Sequence, residues 1–210
     1  MFPSHDRRQL DSQTFERSQI RLLLCDSSQD SEFTDMVKEW LFDSTYKDFR
    51  IIPLKPNSNP DLAETSGADV GTSREIQEAV ARIYNRAAMA LDSQYAVFVE
   101  DDVLPPIDVI DTLIRRCSSD VATVSAPYRA RQDRQWVVWS GLREDGVTCD
   151  FAKRSMGIQE VWGTGFGCIL IRTVVLKKVR FGMSEKDMYF DVSWFSRLPS
   201  FWKRLVDWAF

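Results

Sequence analysis

The chain has 210 residues, of which 44% are hydrophobic and 28% charged, with a formal net charge of -4 and a pI near 5.2. This length suits one domain, and the composition supplies a core and excludes a disordered chain. The net negative charge disfavours nonspecific binding to a polyanion, although it does not exclude a local basic groove. Four cysteines without a CxxC pair and a single histidine exclude an ordinary zinc site, so we expect reduced thiols in a cytosolic protein.

Residues 1–18 are rich in Ser, Gln, Asp and Arg, a composition that predicts a flexible N-terminal lead-in. They lack the apolar stretch of a signal peptide. No other part of the chain is apolar over the length needed to cross a bilayer. We therefore expect a cytoplasmic protein without a transmembrane segment, whose single folded domain spans residues 19–210.

Two strands and a helix are predicted ahead of residue 56. Residues 19–25 form an apolar run that ends at the polar residues 26–28, which predicts a strand followed by a loop. Residues 32–42 carry apolar side chains at helical spacing, and residues 49–54 predict a second strand. The segment 56–72 is a long polar loop, and long loops inside compact domains are more often functional than idle.

The most informative segment runs from the clearest helix to a double proline. Residues 73–91 form one apolar stripe behind Ser73, a favourable N-cap, and so predict a helix. The apolar strand 95–99 follows and ends in three consecutive carboxylates at 100–102. In open α/β sheets, ligands bind at the edge formed by the carboxyl ends of the strands. Carboxylates at that edge are suitable ligands for a divalent metal ion that also binds a phosphate group. The alternative is a solvated acidic turn, and the run alone leaves both open.

The remainder of the chain is less regular. Its predicted elements are a helix at 106–117, strands at 121–126, 135–140, 147–151 and 166–171, a helix at 173–179 and an amphipathic Trp- and Phe-rich tail at 200–210. Because strands alternate with helices through residue 126, the pattern predicts an α/β fold in which a central, mostly parallel sheet is flanked by helices.

Basic side chains occur at two points where an anionic ligand could bind. Asn85 and Arg86 interrupt the apolar helix, and the fork of Arg86 suits a phosphate, although a solvent-facing arginine is equally ordinary. Arg129, Arg131 and Arg134 follow the strand at 121–126. They suit an anionic substrate group, or else form a solvated basic loop.

The glycine-rich segment 163–167 fails as a phosphate loop because it lacks a Lys-Ser/Thr ending and does not lead into a helix. It indicates close approach of the backbone to a ligand or to another strand. Trp162, at its edge, suits stacking on a sugar ring or partial burial in the core.

Three acids, Glu185, Asp187 and Asp191, lie in a predicted loop-to-helix transition. A carboxylate at such a position could remove the proton from an acceptor hydroxyl. Acids that complement a helix dipole are the competing interpretation.

The order of these segments resembles the GT-A glycosyltransferases, most closely the family 2 type and related transferases of phages and bacteria. The matching stretches are IYNRAAMALDSQYAVFVEDDVLPP, DVATVSAPYR, VWGTGFGCILIRTVVL and SEKDMYFD, and the resemblance as a whole covers about residues 20–195. The resemblance implies a Rossmann-like GT-A domain. Its nucleotide-sugar-binding half would be residues 19–126 and its acceptor-binding half residues 127–210.

The same resemblance implies roles for particular residues. Glu100 and Asp102 would hold Mn²⁺ or Mg²⁺, and Asp187 or Asp191 would be the catalytic base. The residues implied in nucleotide-sugar binding are Asp26, Ser27, Ser28, Asn85, Arg86 and Asp101. Those implied in acceptor binding are Trp162, Gly163, Gly165 and Phe166.

The function implied is metal-dependent transfer of a sugar from a UDP- or GDP-linked donor to an acceptor hydroxyl, with inversion. The acceptor class stays open among glycan, protein, lipid and modified nucleobase. A second resemblance, to the retaining Anp1/Mnn9-type mannosyltransferases, rests on the helix, the acidic strand end and the following proline. The sequence is also compatible with a nucleotidyltransferase and with a catalytically inactive sugar-binding relative.

Overall fold

The computed structural model describes residues 10–26, 31–53, 74–100, 103–130, 134–183 and 189–210. Helices and strands alternate from residue 21 to residue 125, and further strands and helices follow, which confirms the α/β class. In chain order the elements are β1 (Arg21–Asp26), α1 (Ser31–Phe42), β2 (Asp48–Pro53), α2 (Arg74–Met89), β3 (Tyr95–Val99), α3 (Val109–Arg116), β4 (Val121–Ser125), β5 (Val138–Leu142), β6 (Cys149–Phe151), β7 (Ile158–Glu160), β8 (Gly163–Thr164), β9 (Cys168–Arg172), α4 (Thr173–Lys178), α5 (Phe190–Ser196) and β10 (Lys203–Asp207).

The largest sheet has five strands in the order β3-β9-β4-β10-β7. Strand β9 runs antiparallel to both of its neighbours, so that Leu170 faces Val97 on one side and Val124 on the other. Strand β10 is parallel to β4 and antiparallel to β7. The sheet is therefore mixed rather than mostly parallel, because β9 is inserted between β3 and β4. Strands β3 and β4 still point the same way, and their carboxyl ends share one edge.

Helices cover both faces of this sheet, as side-chain alternation along β9 makes clear. Ile169 and Ile171 pack with residues of α2, α4 and α5, whereas Cys168 and Leu170 pack with residues of α3. Successive side chains of a strand point to opposite faces, so one buried strand serves two apolar layers. This arrangement confirms the expectation of a sheet flanked by helices.

The C-terminal tail differs from its prediction. The prediction was an amphipathic tail with no partner named, whereas residues 203–207 form strand β10 inside the sheet. Val206 and Trp208 are buried, and the fully buried Asp207 carboxylate accepts a 3.1 Å hydrogen bond from Arg116. Strands β7, β9 and β10 of the predicted acceptor-binding half thus share one sheet with β3 and β4 of the predicted nucleotide-sugar-binding half. The two predicted halves therefore have a common core.

Strands β1 and β2 form a separate parallel pair that packs on α1. The described part of the predicted lead-in is fixed to the body of the protein. The Tyr46 hydroxyl donates to the carbonyl of Leu10 at 2.8 Å, and the Thr14 amide donates to the carbonyl of Ile107 at 2.8 Å. Residues 10–18 are therefore attached rather than loose.

A third sheet, with strand order β6-β5-β8, joins the glycine-rich segment to the rest of the fold. A cluster of aromatic side chains packs in the core beside this sheet, close to the end of β3. Its members are Tyr84, Phe98, Phe166, Phe181, Phe190, Trp194 and Phe195. Across the described ranges, the helices are too short or too polar to cross a membrane.

Candidate active site

Glu100 is the first residue after β3 and is tied by its backbone to two other segments. Its amide donates to the carbonyl of Gly167 at 3.0 Å, and its carbonyl accepts from the amide of Val103 at 3.0 Å. Asp101 and Asp102 lie outside the described residues. Of the three consecutive acids, Glu100 is therefore the one whose surroundings can be given.

The Glu100 side chain is oriented by a buried tyrosine. The Tyr84 hydroxyl donates to Glu100 Oε1 at 3.2 Å, and the Tyr84 ring stacks on Phe98 with a centroid separation of 5.0 Å. Burial, together with the negative charge of Glu100, holds the pKa of Tyr84 well above its usual value. Tyr84 therefore stays protonated at neutral pH and serves as a fixed donor to the carboxylate.

Asp191, in the first turn of α5, supplies a second carboxyl group that interacts electrostatically with Glu100, and the ring of its neighbour Phe190 lies 5.2 Å from the Tyr84 ring. Burial raises the pKa of Asp191 to about 7; a 2.8 Å hydrogen bond from the Val192 amide opposes the rise, and the Glu100 charge adds to it. Gln77 of α2 holds the start of α5 in place, because the Phe190 amide donates to Gln77 Oε1 at 3.1 Å. A carboxyl group that titrates near neutral pH suits general acid–base chemistry.

Electrostatic coupling gathers further residues around these two acids. The pKa of Tyr84 is raised by burial and Glu100 first, and then by Tyr128 and Asp191. Burial raises the pKa of the Cys149 thiol to about 12, and the Asp191 charge contributes to the rise. Tyr84 and Glu100 are in direct contact, and because electrostatic interactions link both of them to Asp191 and Tyr84 to Tyr128, we call these four side chains the polar cluster.

The glycine-rich segment is close-packed against protein side chains. A Cβ atom on Gly165 would overlap the Tyr128 hydroxyl, and one on Gly167 would lie 2.7 Å from the Tyr128 ring. A Cβ atom on Gly163 would lie 2.8 Å from the Phe195 ring. The missing side chains thus make room for the side chains of Tyr128 and Phe195. The prediction was close approach to a ligand or to another strand, and the structure shows strand pairing at Gly163, which is opposite Trp139 of β5.

The predicted acceptor-binding residues are mostly buried. Phe166 is 1% exposed and lies in the aromatic cluster, so its side chain packs the core and is not available to an acceptor. Gly163 and Gly165 are also buried. Trp162 keeps part of its surface exposed while packing on Trp139 at 6.5 Å between ring centroids. Of the predicted set, Trp162 is the residue that can still meet a ligand.

Asn85 and Arg86 have different surroundings although they are adjacent. The Asn85 amide group donates to the Phe181 carbonyl at 2.8 Å and accepts from the Phe181 amide at 2.9 Å. Asn85 thus holds the segment after α4 against α2. Arg86 is exposed, and its charge opposes the rise that desolvation causes in the pKa of Cys25. This places Arg86 near the end of β1.

The predicted nucleotide-binding loop and one predicted base have no described surroundings. Asp26 ends β1, and its side chain is not described. Ser27, Ser28 and Asp187 lie outside the described residues. Considering only the residues whose placement the structure gives, no three His, Cys, Asp or Glu side chains are grouped to hold a metal.

The sequence reasoning missed three members of the site, Tyr84, Tyr128 and Gln77. Tyr84 directly precedes Asn85 in a helix otherwise rich in alanine, and Gln77 is a polar residue at a buried position of the same helix. Tyr128 follows the buried strand β4, whose end shares an edge with β3. A search for polar groups shortly beyond each buried strand or beside each functional motif would have found Tyr84 and Tyr128.

No protein-family model matches the chain. Nor does any curated protein match it. Solved structures do resemble it, and they define the class of fold first. They include a mannosyltransferase, and the likeness agrees with the α/β class of the fold.

Three of these structures can be named. PcManGT, a mannosyltransferase from Pyrobaculum calidifontis in complex with GDP-Man and Mn²⁺, aligns with a TM-score of 0.55 and 12% identity, over 97% of this chain and 54% of that chain. A197 from STIV aligns with a TM-score of 0.51 and 15% identity, over 89% of this chain and 80% of that one. HddC from Yersinia pseudotuberculosis aligns with a TM-score of 0.51 and 13% identity, over 97% and 76%. At such identities the likeness shows a shared fold.

Proposed function

We propose that the protein is a metal-dependent glycosyltransferase that moves a sugar from a nucleoside-diphosphate donor to an acceptor hydroxyl with inversion. The observation that carries the proposal is that Glu100, held by the Tyr84 hydroxyl at the edge where β3 ends, contributes its charge to the raised pKa of Asp191. That edge is where α/β sheets bind ligands. The fold is shared with a mannosyltransferase in complex with GDP-Man and Mn²⁺, which makes GDP-mannose the first donor to test.

The donor set at this edge suits a hard divalent cation. Carboxylate oxygens are the ligands that Mg²⁺ and Mn²⁺ prefer, and the Glu100 carboxylate is partly exposed at the strand end. Glu100 and Asp102 would hold the ion, which when bound would offset negative charge on the departing diphosphate. Arg86 would meet a donor phosphate, with Asp26, Ser27, Ser28 and Asp101 lining the nucleotide.

Asp191 is the base that we assign, with Asp187 as the second candidate. The Asp191 carboxylate accepts the proton of the acceptor hydroxyl as that oxygen attacks the anomeric carbon of the donor. The bond from the anomeric carbon to the diphosphate breaks, and its electron pair leaves with the diphosphate. A single displacement of this kind inverts the anomeric centre. A pKa of about 7 for Asp191 leaves enough carboxylate at neutral pH for this role.

The test is turnover of GDP-mannose and UDP-glucose by the purified protein, followed as release of GDP or UDP. We expect slow donor hydrolysis with Mn²⁺ that EDTA abolishes. We expect Asp191→Asn to lower the rate by about 100-fold or more, the usual contribution of a general base. Asp35→Asn is the matched control, because Asp35 is exposed on α1 and pairs with Lys38.

Proton NMR of the first-formed sugar gives the stereochemistry. The inverted anomer supports direct displacement with Asp191 as base, whereas the retained anomer contradicts it. Undiminished turnover in EDTA would show that the reaction does not need a divalent metal. Donor binding without turnover under any of these conditions would indicate an inactive sugar-binding protein.

A further inference from the structure

We propose that the protein has a docking surface for anionic lipid membranes. It consists of residues 151–158 together with Arg129 and Trp136, and we call it the basic-apolar surface. The inference does not depend on glycosyl transfer, since none of these residues belongs to the polar cluster at the end of β3.

Large apolar side chains are exposed on this surface. Met156 is 93% exposed, Phe151 50% and Ile158 44%. Single exposed apolar residues are ordinary on protein surfaces, but three within eight residues make this segment unusually rich in exposed apolar area. A side chain as exposed as Met156 gains free energy if it enters a hydrocarbon phase.

The segment that carries these side chains is held in place at both ends. The Ala152 amide donates to the Val138 carbonyl at 2.8 Å, and the Trp208 amide donates to the Gly157 carbonyl at 2.8 Å. Gly157 adopts a positive φ of 68°, a conformation that glycine reaches without strain. The turn that presents Met156 is therefore preorganised, which reduces the entropy lost on docking.

The same segment carries cations, and a further cation shares the Trp136 ring with one of them. The guanidinium groups of Arg129 and Arg154 lie over the Trp136 ring, at 4.6 and 5.5 Å from its centroid. Lys153 is exposed beside them. Among the residues placed by the structure, no carboxylate forms an ion pair with any of these three cations. The nearby Asp150 carboxylate is already paired with Arg143 at 2.7 Å.

This combination favours a lipid surface over a nucleic acid. Trp136 already has two guanidinium groups over it and Trp208 edge-on at 5.6 Å, so its ring is not open for stacking with a base. A phosphate backbone would give Met156 and Ile158 nothing apolar to contact. An anionic bilayer interface supplies both requirements, hydrocarbon for the apolar side chains and phosphate for the cations.

The test is co-sedimentation of the purified full chain with sucrose-loaded vesicles of phosphatidylcholine and phosphatidylglycerol at a 3:1 ratio. Pure phosphatidylcholine vesicles provide the comparison. We expect partition into the anionic vesicles to exceed that into neutral ones, and to weaken in 0.5 M NaCl because salt screens surface charge. Arg154→Gln should lower partition about fivefold, the equivalent of about 1 kcal/mol per cation. Met156→Ser should lower it on the order of tenfold.

Two variants control for unspecific effects of lost charge or lost apolar area. Met89→Ser removes a comparably exposed methionine at the end of α2, and Lys177→Gln removes an exposed cation of α4. Both should partition like the wild type, and all four variants should keep its melting temperature, since surface substitutions rarely alter stability. Equal losses in the test and control variants would overturn the proposal. So would binding to heparin or single-stranded DNA without binding to the anionic vesicles.

Discussion

At the scale of single residues, Asp191 combines a stability cost with a chemical use. Burial raises the pKa of Asp191 to about 7, against an ordinary value of 3.8. The folded protein therefore holds this proton more tightly than the unfolded chain does. The cost of ionising Asp191 is absent below pH 4, grows between pH 4 and pH 7, and is fully present above pH 7.

Asp191→Asn should remove that cost and so stabilise the protein at high pH. The difference in melting temperature between variant and wild type should increase from pH 4.5 to pH 8, measured by differential scanning fluorimetry in EDTA. A difference that stays constant over this range would contradict the raised pKa. Because the same substitution should abolish turnover, Asp191 would be a site where stability is sacrificed for activity.

Tyr84 provides a second prediction at this scale. Tyr84→Phe keeps the stacked ring and deletes the hydroxyl that donates to Glu100, so the free energy of unfolding should fall by about 1 kcal/mol. Urea denaturation measures the change. Tyr95→Phe is the matched control, since the Tyr95 hydroxyl accepts an exposed hydrogen bond from Gln94, and its loss should have less effect. Equal losses in the two variants would contradict the orienting role of Tyr84.

At the scale of elements, Asn85 links α2 to the segment after α4 through both backbone groups of Phe181. Asn85→Ala leaves that amide and carbonyl without partners, and should lower the free energy of unfolding by about 2 kcal/mol or more. Asn85→Asp should also destabilise, because a carboxylate can accept from the amide but cannot donate to the carbonyl. Arg86→Ala, one residue along, should leave unfolding unchanged. A neutral result for Asn85→Ala would show that water replaces these contacts.

The packing between Tyr128 and the glycine-rich segment gives another prediction at this scale. Gly165→Ala places a methyl group against the Tyr128 hydroxyl and 2.7 Å from a methyl of Val137, so it should destabilise by about 1–3 kcal/mol. Gly141→Ala is the matched control, because nothing lies within 4 Å of the added carbon. Thermal unfolding of both variants distinguishes them, and equal melting temperatures would refute close packing at Gly165.

At the scale of the whole molecule, local periodicity predicted the elements better than their arrangement. The helix predicted at 73–91 corresponds to α2, and the strand predicted at 95–99 coincides with β3. The insertion of β9 between β3 and β4 could not be read from sequence, because strand order is decided by long-range pairing. The tail at 200–210 looked amphipathic, but its pairing with a strand on each side, which buries Val206 and Asp207 of β10, could not be read from that pattern.

The candidate site was predictable where its chemistry is concentrated in one run, and not where it is assembled from several segments. Glu100 belongs to an acidic run after an apolar strand, and that pattern is local. The roles of Tyr84 and Tyr128 depend on which segments meet at the edge of the sheet. The resemblance to glycosyltransferases implied that Phe166 binds the acceptor, but its side chain is buried in the core.

The pairing of β10 with β4 also sets the order in which the chain can fold. Leu205 faces Val124, and strands β5 to β9 lie between them in sequence. Closing so long a loop is entropically costly, so this pairing should form late and slowly. Until it forms, one side of β4 presents unpaired backbone groups that can pair with a strand of another chain, which favours aggregation. During its synthesis in the cell, the protein should therefore be most exposed to misassociation before residues 203–207 reach the sheet.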